Sequence, residues 1–221
     1  MNGAFITGTN TGIGKTFFTA AWTRHLRANG IPALALKPIA CGDRTDAETF
    51  ANANDEILTL NEINPIHLAP PLSPYAACVV EDKPFDWEPW EKTKNELSKR
   101  FPGPFLIEGV GGWLVPITRD FWVRDWALEL GLPVVVVASA GLGTLNHTLL
   151  TIESIRPTGL PILGIVVNAY GVPDDLAAAT NPAFLEDLTG LPVWNLPAPG
   201  TVPQWPKWLS LSTVVEPDPP H

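Results

Sequence analysis

The stretch AFITGTNTGIGKTFFTAAW, residues 4–22, decides the fold. It opens with an apolar, strand-like run, crosses a glycine-rich turn to Lys15 and Thr16, and continues as an apolar segment of helical length. The usual phosphate-binding pattern is G-x-x-x-x-G-K-[ST]. Here Thr9 stands where the first glycine of that pattern belongs, and Gly8 lies one position earlier. Because the stretch departs from the consensus pattern, its function has to be judged from the chemistry of its residues.

A phosphate-binding loop needs inward-facing N–H groups, a lysine that reaches the β- and γ-phosphates, and a hydroxyl that can ligate Mg²⁺. It should also open a helix, whose N-terminus favours anions. Gly12 and Gly14 permit the tight backbone, Lys15 supplies the charge and Thr16 the hydroxyl. An ordinary turn between a strand and a helix is the alternative. The strand–loop–helix order favours the phosphate-binding interpretation.

Length and composition indicate one soluble domain over residues 1–221, with a proline-rich tail from about 200 to 221 packed on the body or partly disordered. The net charge of −9 argues against a nucleic-acid or anionic-membrane partner. Two cysteines are too few for a disulfide framework and fit a reducing compartment. Since no targeting or transmembrane pattern is visible, a cytoplasmic protein is expected.

Apolar, β-branched runs alternate along the chain with segments of helical length. Strands are predicted at 4–8, 32–39, 104–110, 133–139, 162–170 and 192–197. Helices are predicted at 15–29, 46–60, 88–100, 121–130, 145–156 and 174–188. The apolar runs lack inside–outside alternation, so helices should cover both faces of a mainly parallel sheet. This predicts a three-layer α/β fold that binds ligands at the carboxyl ends of its strands.

The loop GTNTGIGKT (8–16) resembles that of dethiobiotin synthetases, commonly G-T-[DN]-T-x-[VI]-G-K-T. Further segments resemble other parts of this family in the same order along the chain. They are LKPIACG (36–42), TDAETF (45–50), NPIHLAPPLSPYAA (64–77), LIEGVGGWLVPI (106–117), VVVVASAGLGTLNHTLLTIESI (134–155) and GIVVNA (164–169). The resemblance spans residue 4 to about 200 and implies a fold of the P-loop nucleoside triphosphatase type.

The resemblance implies an ATP- and Mg²⁺-dependent enzyme that closes the ureido ring of dethiobiotin from 7,8-diaminopelargonate, CO₂ and a nucleoside triphosphate. The reaction passes through a carbamate and a carbamic-phosphoric anhydride. Because each step gathers negative charge, the site needs cations and N–H donors rather than a covalent nucleophile. The family also implies a homodimer with its site at the subunit interface, and no nucleic-acid or membrane partner.

The resemblance assigns catalytic roles to Lys15, Lys37 and Thr11. Without the resemblance, a solvated lysine at the end of a strand would be the favoured interpretation of Lys37. The implied nucleotide contacts are Gly12, Ile13, Gly14, Lys15, Thr16, Glu108, Gly111, Asn168 and Pro197. The implied substrate contacts are Lys37, Cys41, Gly111, Gly112, Gly143, Thr144 and Asn146.

Thr16, Asp46 and Glu108 are the implied magnesium ligands, and oxygen ligands are what Mg²⁺ prefers. Glu108 interrupts an apolar strand end, where a carboxylate needs a partner, and a metal ligand suits this position better than a structural ion pair. Asp46 also fits the first turn of a helix, where acids are favoured. Asp43 is a nearby competitor for the same role.

Two interpretations exist for each of three residue types. Cys41 stands where the family commonly has serine or threonine, and it is either a weak donor to substrate or a small packing residue. Asn168 either contacts the nucleotide base or satisfies the turn at the end of its strand. The tryptophans at 113, 122 and 126 are expected in the core or in a subunit interface rather than stacked on substrate.

Other functions share this kind of loop. A regulatory ATPase of the partitioning or septum-placement type would commonly carry an extra lysine where Asn10 stands, and no basic amphipathic tail is present. A cobyrinate-type amidotransferase would need a glutaminase domain, for which 221 residues leave no space. A nucleotide-binding relative without turnover is the remaining alternative.

Overall fold

Residues 1–197, 200, 201 and 203–210 are described by the computed structural model. The strands are β1 (Gly3–Gly8), β2 (Leu34–Leu36), β3 (Ile39–Cys41), β4 (Ile66–Leu68), β5 (Phe105–Glu108), β6 (Val134–Ser139), β7 (Ile162–Asn168) and β8 (Val193–Leu196). The helices are α1 (Lys15–Ala28), α2 (Thr45–Ala53), α3 (Leu60–Ile63), α4 (Pro74–Val80), α5 (Glu88–Arg100), α6 (Val123–Leu130), α7 (Thr144–Ile155) and α8 (Leu176–Thr189).

Six strands form one parallel sheet in the order β2-β5-β1-β6-β7-β8. In its middle, Ile6 of β1 lies opposite Glu108 of β5, and Gly8 lies opposite Val137 of β6. The chain leaves β1 toward β2 on one side and later crosses to β6 on the other side. The loop after β1 therefore lies where the strand order reverses, which is the usual ligand-binding point of such sheets.

Apolar layers cover both faces of the sheet. On one face, Phe18 and Trp22 of α1 belong to the same buried cluster as Ile6. On the other face, Phe5 packs edge-on against Trp126 of α6, with ring centroids 5.4 Å apart. The predicted three-layer α/β fold with a mainly parallel sheet is thus confirmed. Within the described residues, no helix is both long and apolar enough to cross a membrane.

The predicted strand at 32–39 is wrong in one respect, because it is two strands. β2 pairs with β5 in the main sheet, whereas β3 pairs with β4 in a separate two-stranded parallel sheet. The break falls at Lys37 and Pro38, and proline has no N–H group to continue a ladder. Lys37 therefore lies just beyond β2, at the carboxyl edge of the main sheet, and is not part of either strand.

The predicted helix at 46–60 is also divided. α2 ends at Ala53, and Asp55 and Glu56 follow with φ angles of 54° and 57°, a left-handed conformation that stops a helix. The helix α4 was not predicted, since its sequence neighbourhood is rich in proline. Pro74 instead opens α4, after Ser73 accepts a hydrogen bond from Ala76 N at 3.3 Å.

Residues 203–210 of the tail lie against α1. Trp22, fully buried, donates from Nε1 to Leu209 O at 2.9 Å. The ring of Trp205 stacks on His25 with a centroid distance of 4.7 Å. The tail residues 198, 199, 202 and 211–221 lie outside the described part, so the single-domain boundary and partial disorder stay predictions.

Trp22→Phe is predicted to lower the free energy of unfolding by about 2 kcal/mol, because it leaves Leu209 O without its donor. Thermal unfolding followed by calorimetry measures the change. Trp90→Phe is the matched control, since Trp90 is equally buried but its Nε1 has no partner among the described residues. Equal losses in the two variants would contradict a role for this hydrogen bond.

Candidate functional site

The loop between β1 and α1 takes a glycine-dependent path. Gly12 and Gly14 have φ angles of 73° and 96°, a region that side chains rarely adopt. At Gly14 space is also limiting, because a Cβ atom there would lie 2.3 Å from Nδ2 of Asn168. Gly14 directly precedes α1, so the first N–H groups of that helix face the loop. This is the backbone that an anion-binding loop needs.

Lys15 curls back over this loop. Its Nζ donates to Asn10 O at 3.0 Å, and the side chain is buried. Burial lowers the pKa of Lys15 to about 8, an effect that the nearby carboxylate of Glu108 only partly offsets. The ammonium thus lies beside the loop that a phosphate group would occupy, in a place where an anion would favour its charged form.

Four side chains, Lys37, Asp46, Glu108 and Thr16, form a lysine–carboxylate cluster at the carboxyl edge of the sheet. Lys37 Nζ donates to Glu108 Oε1 and lies 2.8 Å from Asp46 Oδ2. The Thr16 hydroxyl donates to Asp46 Oδ1 at 2.8 Å, and its Oγ1 lies 3.2 Å from Glu108 Oε1. Lys37 is 5% exposed and Glu108 only 1%, so the pair is shielded from water.

Within this cluster, Lys37 and Asp46 stabilise each other's ionised forms. Burial opposes the ammonium of Lys37, but Glu108 and Asp46 outweigh it and raise the pKa of Lys37. Burial likewise opposes the carboxylate of Asp46, yet Lys37 and the hydroxyl of Thr16 lower the pKa of Asp46 overall. Two carboxylates facing one ammonium leave the cluster with an excess negative charge.

The lysine–carboxylate cluster fits a magnesium ion by its donor chemistry. Oε2 of Glu108 is buried and has no hydrogen-bond partner among the described residues, which is costly for a carboxylate oxygen. Hydroxyl and carboxylate oxygens are suitable ligands. The described residues contain no group of three or more His, Cys, Asp or Glu side chains arranged for a metal. An ion here would need further oxygens from phosphate or water.

Asp46, rather than Asp43, reaches the lysine–carboxylate cluster. Asp43 lies before α2 and accepts a hydrogen bond from Thr45 N at 3.1 Å. Asp46 is in the first turn of α2, whose direction brings its carboxylate to Lys37 and Thr16. The geometry therefore favours Asp46 of the two candidates, and its metal-binding role stays a prediction.

A cavity of about 570 Å³ joins the loop to the lysine–carboxylate cluster, which is a normal size for a small-molecule site. The predicted site residues that line it are Thr11, Gly12, Gly14, Lys15, Thr16, Lys37, Cys41, Asp46, Glu108 and Gly111. Pro71, Leu72 and Ser73 close the same cavity and were not singled out from the sequence. Their segment, 64–77, was nevertheless one of those that carried the family resemblance.

Cys41 lies at the end of β3 and is half-buried. It packs against the small cluster of Leu68, Ala77 and Cys78, and it also lines the cavity. Burial raises the pKa of the Cys41 thiol to about 11, with a further contribution from Cys78. Cys41 is therefore a neutral packing residue with one side open to the cavity.

Asn168 ties the loop to the end of β7. Its Nδ2 donates to Ile13 O at 2.9 Å, and its Oδ1 accepts from Tyr170 N at 3.0 Å. The turn-satisfying interpretation of Asn168 is thus seen in the structure, with an anchoring contact to the loop that the sequence did not reveal. A contact to a nucleotide base stays a prediction.

Several predicted residues lie outside this cavity. Gly112 lines a neighbouring cavity of about 380 Å³ that also contacts His147 of α7. Pro197 lines another of about 580 Å³, beside Phe17 and Trp205. The remaining three predicted substrate contacts stand at the start of α7. They are Gly143 and Asn146, both exposed, and Thr144, which is buried.

Comparison with known proteins identifies the relatives of this chain. A protein-family profile described as an AAA domain matches residues 2–207. The ATP-dependent dethiobiotin synthetase BioD of Anaeromyxobacter sp. (strain K) is 42% identical over 193 residues, covering 86% of each chain. The protein of the same name from Aquifex aeolicus (strain VF5) is 37% identical over 195 residues, covering 87% of each.

Solved structures with the same fold are more distant in sequence. A ParA family ATPase from Chlorobium tepidum TLS has a TM-score of 0.52 at 15% identity, covering 90% of this chain and 86% of that one. The Pyrococcus furiosus cell division ATPase MinD has a TM-score of 0.52 at 21% identity, covering 87% and 81%. These likenesses concern the fold, whereas the sequence relatives decide the family. By loop, lysine–carboxylate cluster and sequence together, the chain belongs to the ATP-dependent dethiobiotin synthetase family.

Proposed function

We propose that this protein is an ATP- and Mg²⁺-dependent ligase that closes the ring of dethiobiotin from 7,8-diaminopelargonate and CO₂. The observation that carries the proposal is the position of Lys37. Its buried ammonium lies among the carboxylates of Glu108 and Asp46, in the same cavity as the phosphate-binding loop. A cation held at this point can serve both a carbamate and the phosphoryl group transferred to it.

The bond changes balance without a covalent enzyme intermediate. One amine of the substrate adds to CO₂ and loses a proton, which gives a carbamate. A carbamate oxygen then attacks the γ-phosphorus of ATP and ADP leaves. The second amine attacks the carbamate carbon, loses a proton and expels phosphate, closing the ring. Negative charge therefore collects beside Lys15 and Lys37, whose ammonium groups stabilise it.

The loop backbone from Gly12 to Thr16 and the start of α1 would hold the triphosphate. Thr16, Asp46 and Glu108 would hold magnesium, which when bound neutralises charge on the phosphate oxygens. With such an ion bound, Lys37 would share its carboxylate partners and its ammonium would be available to the carbamate. Thr11 and Gly111 line the same cavity and would orient the carbamate.

A homodimer would complete the substrate site. The start of α7 exposes Gly143 and Asn146, and two leucines near them are open to solvent, Leu142 at 92% and Leu150 at 63%. Because these leucines stand beside predicted substrate contacts, their exposure fits a surface that a second subunit covers. We infer that the N-terminus of α7 in one subunit receives the carboxylate tail of the diamine bound in the other. We also infer a cytoplasmic location, which the free thiols of Cys41 and Cys78 support.

Purified protein is expected to form dethiobiotin, detected by mass spectrometry, from diaminopelargonate, bicarbonate, Mg²⁺ and ATP. Lys37→Ala should lower kcat about 10³-fold, because it removes a cation that acts where charge develops. Lys94→Ala is the control and should leave kcat unchanged, since Lys94 forms an ion pair with Glu91 on α5 and does not line the cavity. Near-normal turnover by Lys37→Ala would refute the mechanism.

The same assay separates this function from a regulatory ATPase and from a binding protein without turnover. Phosphate release should require the diamine. Release that is independent of the diamine would favour a switch ATPase, and nucleotide binding without any release would favour an inactive relative.

Cys41 is predicted to react with iodoacetamide at pH 8 roughly 200-fold more slowly than a free cysteine, because a pKa of about 11 leaves little thiolate. Peptide mass spectrometry follows the modification at this position. Addition of urea should restore the ordinary rate. Rapid labelling of the folded protein would contradict the neutral-thiol assignment.

Leu150→Glu is predicted to convert dimer to monomer and to raise KM for the diamine, as a charge is added to the α7 surface. Light scattering after size-exclusion chromatography measures the mass. Leu176→Glu is the matched control, because Leu176 is 78% exposed at the start of α8. A wild-type monomer with full activity would disprove the interfacial site.

A further inference from the structure

The backbone of Lys37 is held by groups outside the main sheet. At the break between β2 and β3, Lys37 N donates to Ile63 O at 3.0 Å. Lys37 O accepts a hydrogen bond from Asn64 Nδ2 at 2.9 Å. Since buried backbone groups must be paired, these two contacts replace the ladder that Pro38 interrupts. They fix the point from which the Lys37 side chain leaves the backbone.

Both the nitrogen and the oxygen of the Asn64 side-chain amide form hydrogen bonds in this region. It is 1% exposed, and besides Lys37 O its Nδ2 donates to Ile66 O at 2.9 Å, with Pro38 O at 3.4 Å. Its Oδ1 accepts from Arg44 Nε at 3.0 Å. An amide with this many partners has one orientation only.

Arg44 extends the connection to α2. Its Nη2 donates to Leu60 O and to Asn64 O, both at 2.8 Å, and its Nη1 donates to Asn61 Oδ1 at 3.0 Å. Arg44 is the residue immediately before α2, and Asp46 stands in the first turn of that helix. A continuous set of hydrogen bonds therefore runs from the backbone of Lys37 through Asn64 and Arg44 to the helix that carries Asp46.

The far end of α2 is tied to the same strand by a different asparagine. Asn54, fully buried, donates to Ala35 O at 2.9 Å and accepts from Ala35 N at 2.8 Å. Asn54 thus pairs with the free edge of β2 as a neighbouring strand would. Its contacts are two residues from Lys37, which makes it a natural control for Asn64.

We propose that Asn64 and Arg44 are positioning residues that set the ammonium of Lys37 against the carboxylate of Asp46. They act through the backbone of Lys37 and the start of α2, and neither is needed to touch substrate. The catalytic consequence rests on the proposed function, but the geometric claim does not. A displacement of about 1 Å in a catalytic group can cost roughly 10²-fold in rate. The same two residues therefore support turnover as well as stability.

Asn64→Asp tests this with little change of volume. Aspartate keeps an acceptor for Arg44 but cannot donate to the carbonyl oxygens of Lys37 and Ile66. We expect kcat to fall about 10- to 100-fold, with KM for ATP changed less than about threefold because the loop is untouched. Asn54→Asp, the control, should lose a comparable amount of thermal stability with less than about a threefold loss of kcat.

A double-variant cycle separates positioning from general weakening. If Asn64 acts through Lys37, Asn64→Asp should cause no further loss of kcat in a Lys37→Ala background, although its loss of stability should persist. If the loss of kcat in the double variant equals the product of the losses in the two single variants, the proposal is overturned. Arg44→Lys, which keeps the charge on a partly exposed side chain, serves the same purpose if Asn64→Asp does not fold.

A readout without turnover keeps the proposal independent of the function assigned above. Acetic anhydride labelling of Lys37, followed by peptide mass spectrometry, should be at least about tenfold faster in Asn64→Asp than in the wild type, because the ion pairs loosen. Labelling of Lys15 should stay the same. Unchanged labelling of Lys37, or an equal increase in Asn54→Asp, would refute the positioning role even if dethiobiotin is made. Faster labelling in a protein that makes no dethiobiotin would refute only the function.

Discussion

The buried ion pair between Lys37 and Glu108 is the constraint on which the rest of the site depends. A carboxylate at the end of a central strand is costly to bury, and an ammonium beside it makes that burial possible. The pair in turn requires the chain to break after β2, so that Lys37 leaves the sheet edge toward Glu108 rather than continuing a ladder. The small β3–β4 sheet and the start of α2 are arranged around this break.

Two neighbours of this pair link it to phosphate chemistry. Thr16 lies at the first turn of α1 and reaches both carboxylates, so the loop and the lysine–carboxylate cluster form one unit. Asn168 fastens the loop from the other side through Ile13 O. The site is therefore built from the ends of β1, β5 and β7 together, all of which are interior strands of the sheet. A helix–loop arrangement alone would hold phosphate but would lack the second cation.

The sequence predicts the parts of this structure that depend on local pattern. The loop follows from its glycines, Glu108 from an isolated charge at an apolar strand end, and the three-layer fold from alternating strands and helices. The role of Lys37, by contrast, is implied only by the family resemblance. The division of 32–39 could not be predicted, because it depends on β3 pairing with a strand 27 residues further along the chain, Ile39 opposite Ile66. The hydrogen bonds that Asn64, Asn54 and Asn168 make with distant backbone groups could not be predicted for the same reason. The position of an asparagine in the sequence does not reveal which distant carbonyl oxygen its side chain will contact.

The hydroxyl of Thr16 carries a single hydrogen, yet two carboxylate oxygens lie within hydrogen-bonding reach of it. That hydrogen is shared or alternates between Asp46 and Glu108, while the oxygen keeps its lone pairs for another partner. A cation can therefore be accepted by this oxygen without breaking the contact that orients it. Serine at this position could both donate a hydrogen bond and bind a cation. Valine, although nearly the same shape as threonine, would supply neither the hydrogen nor the lone pairs.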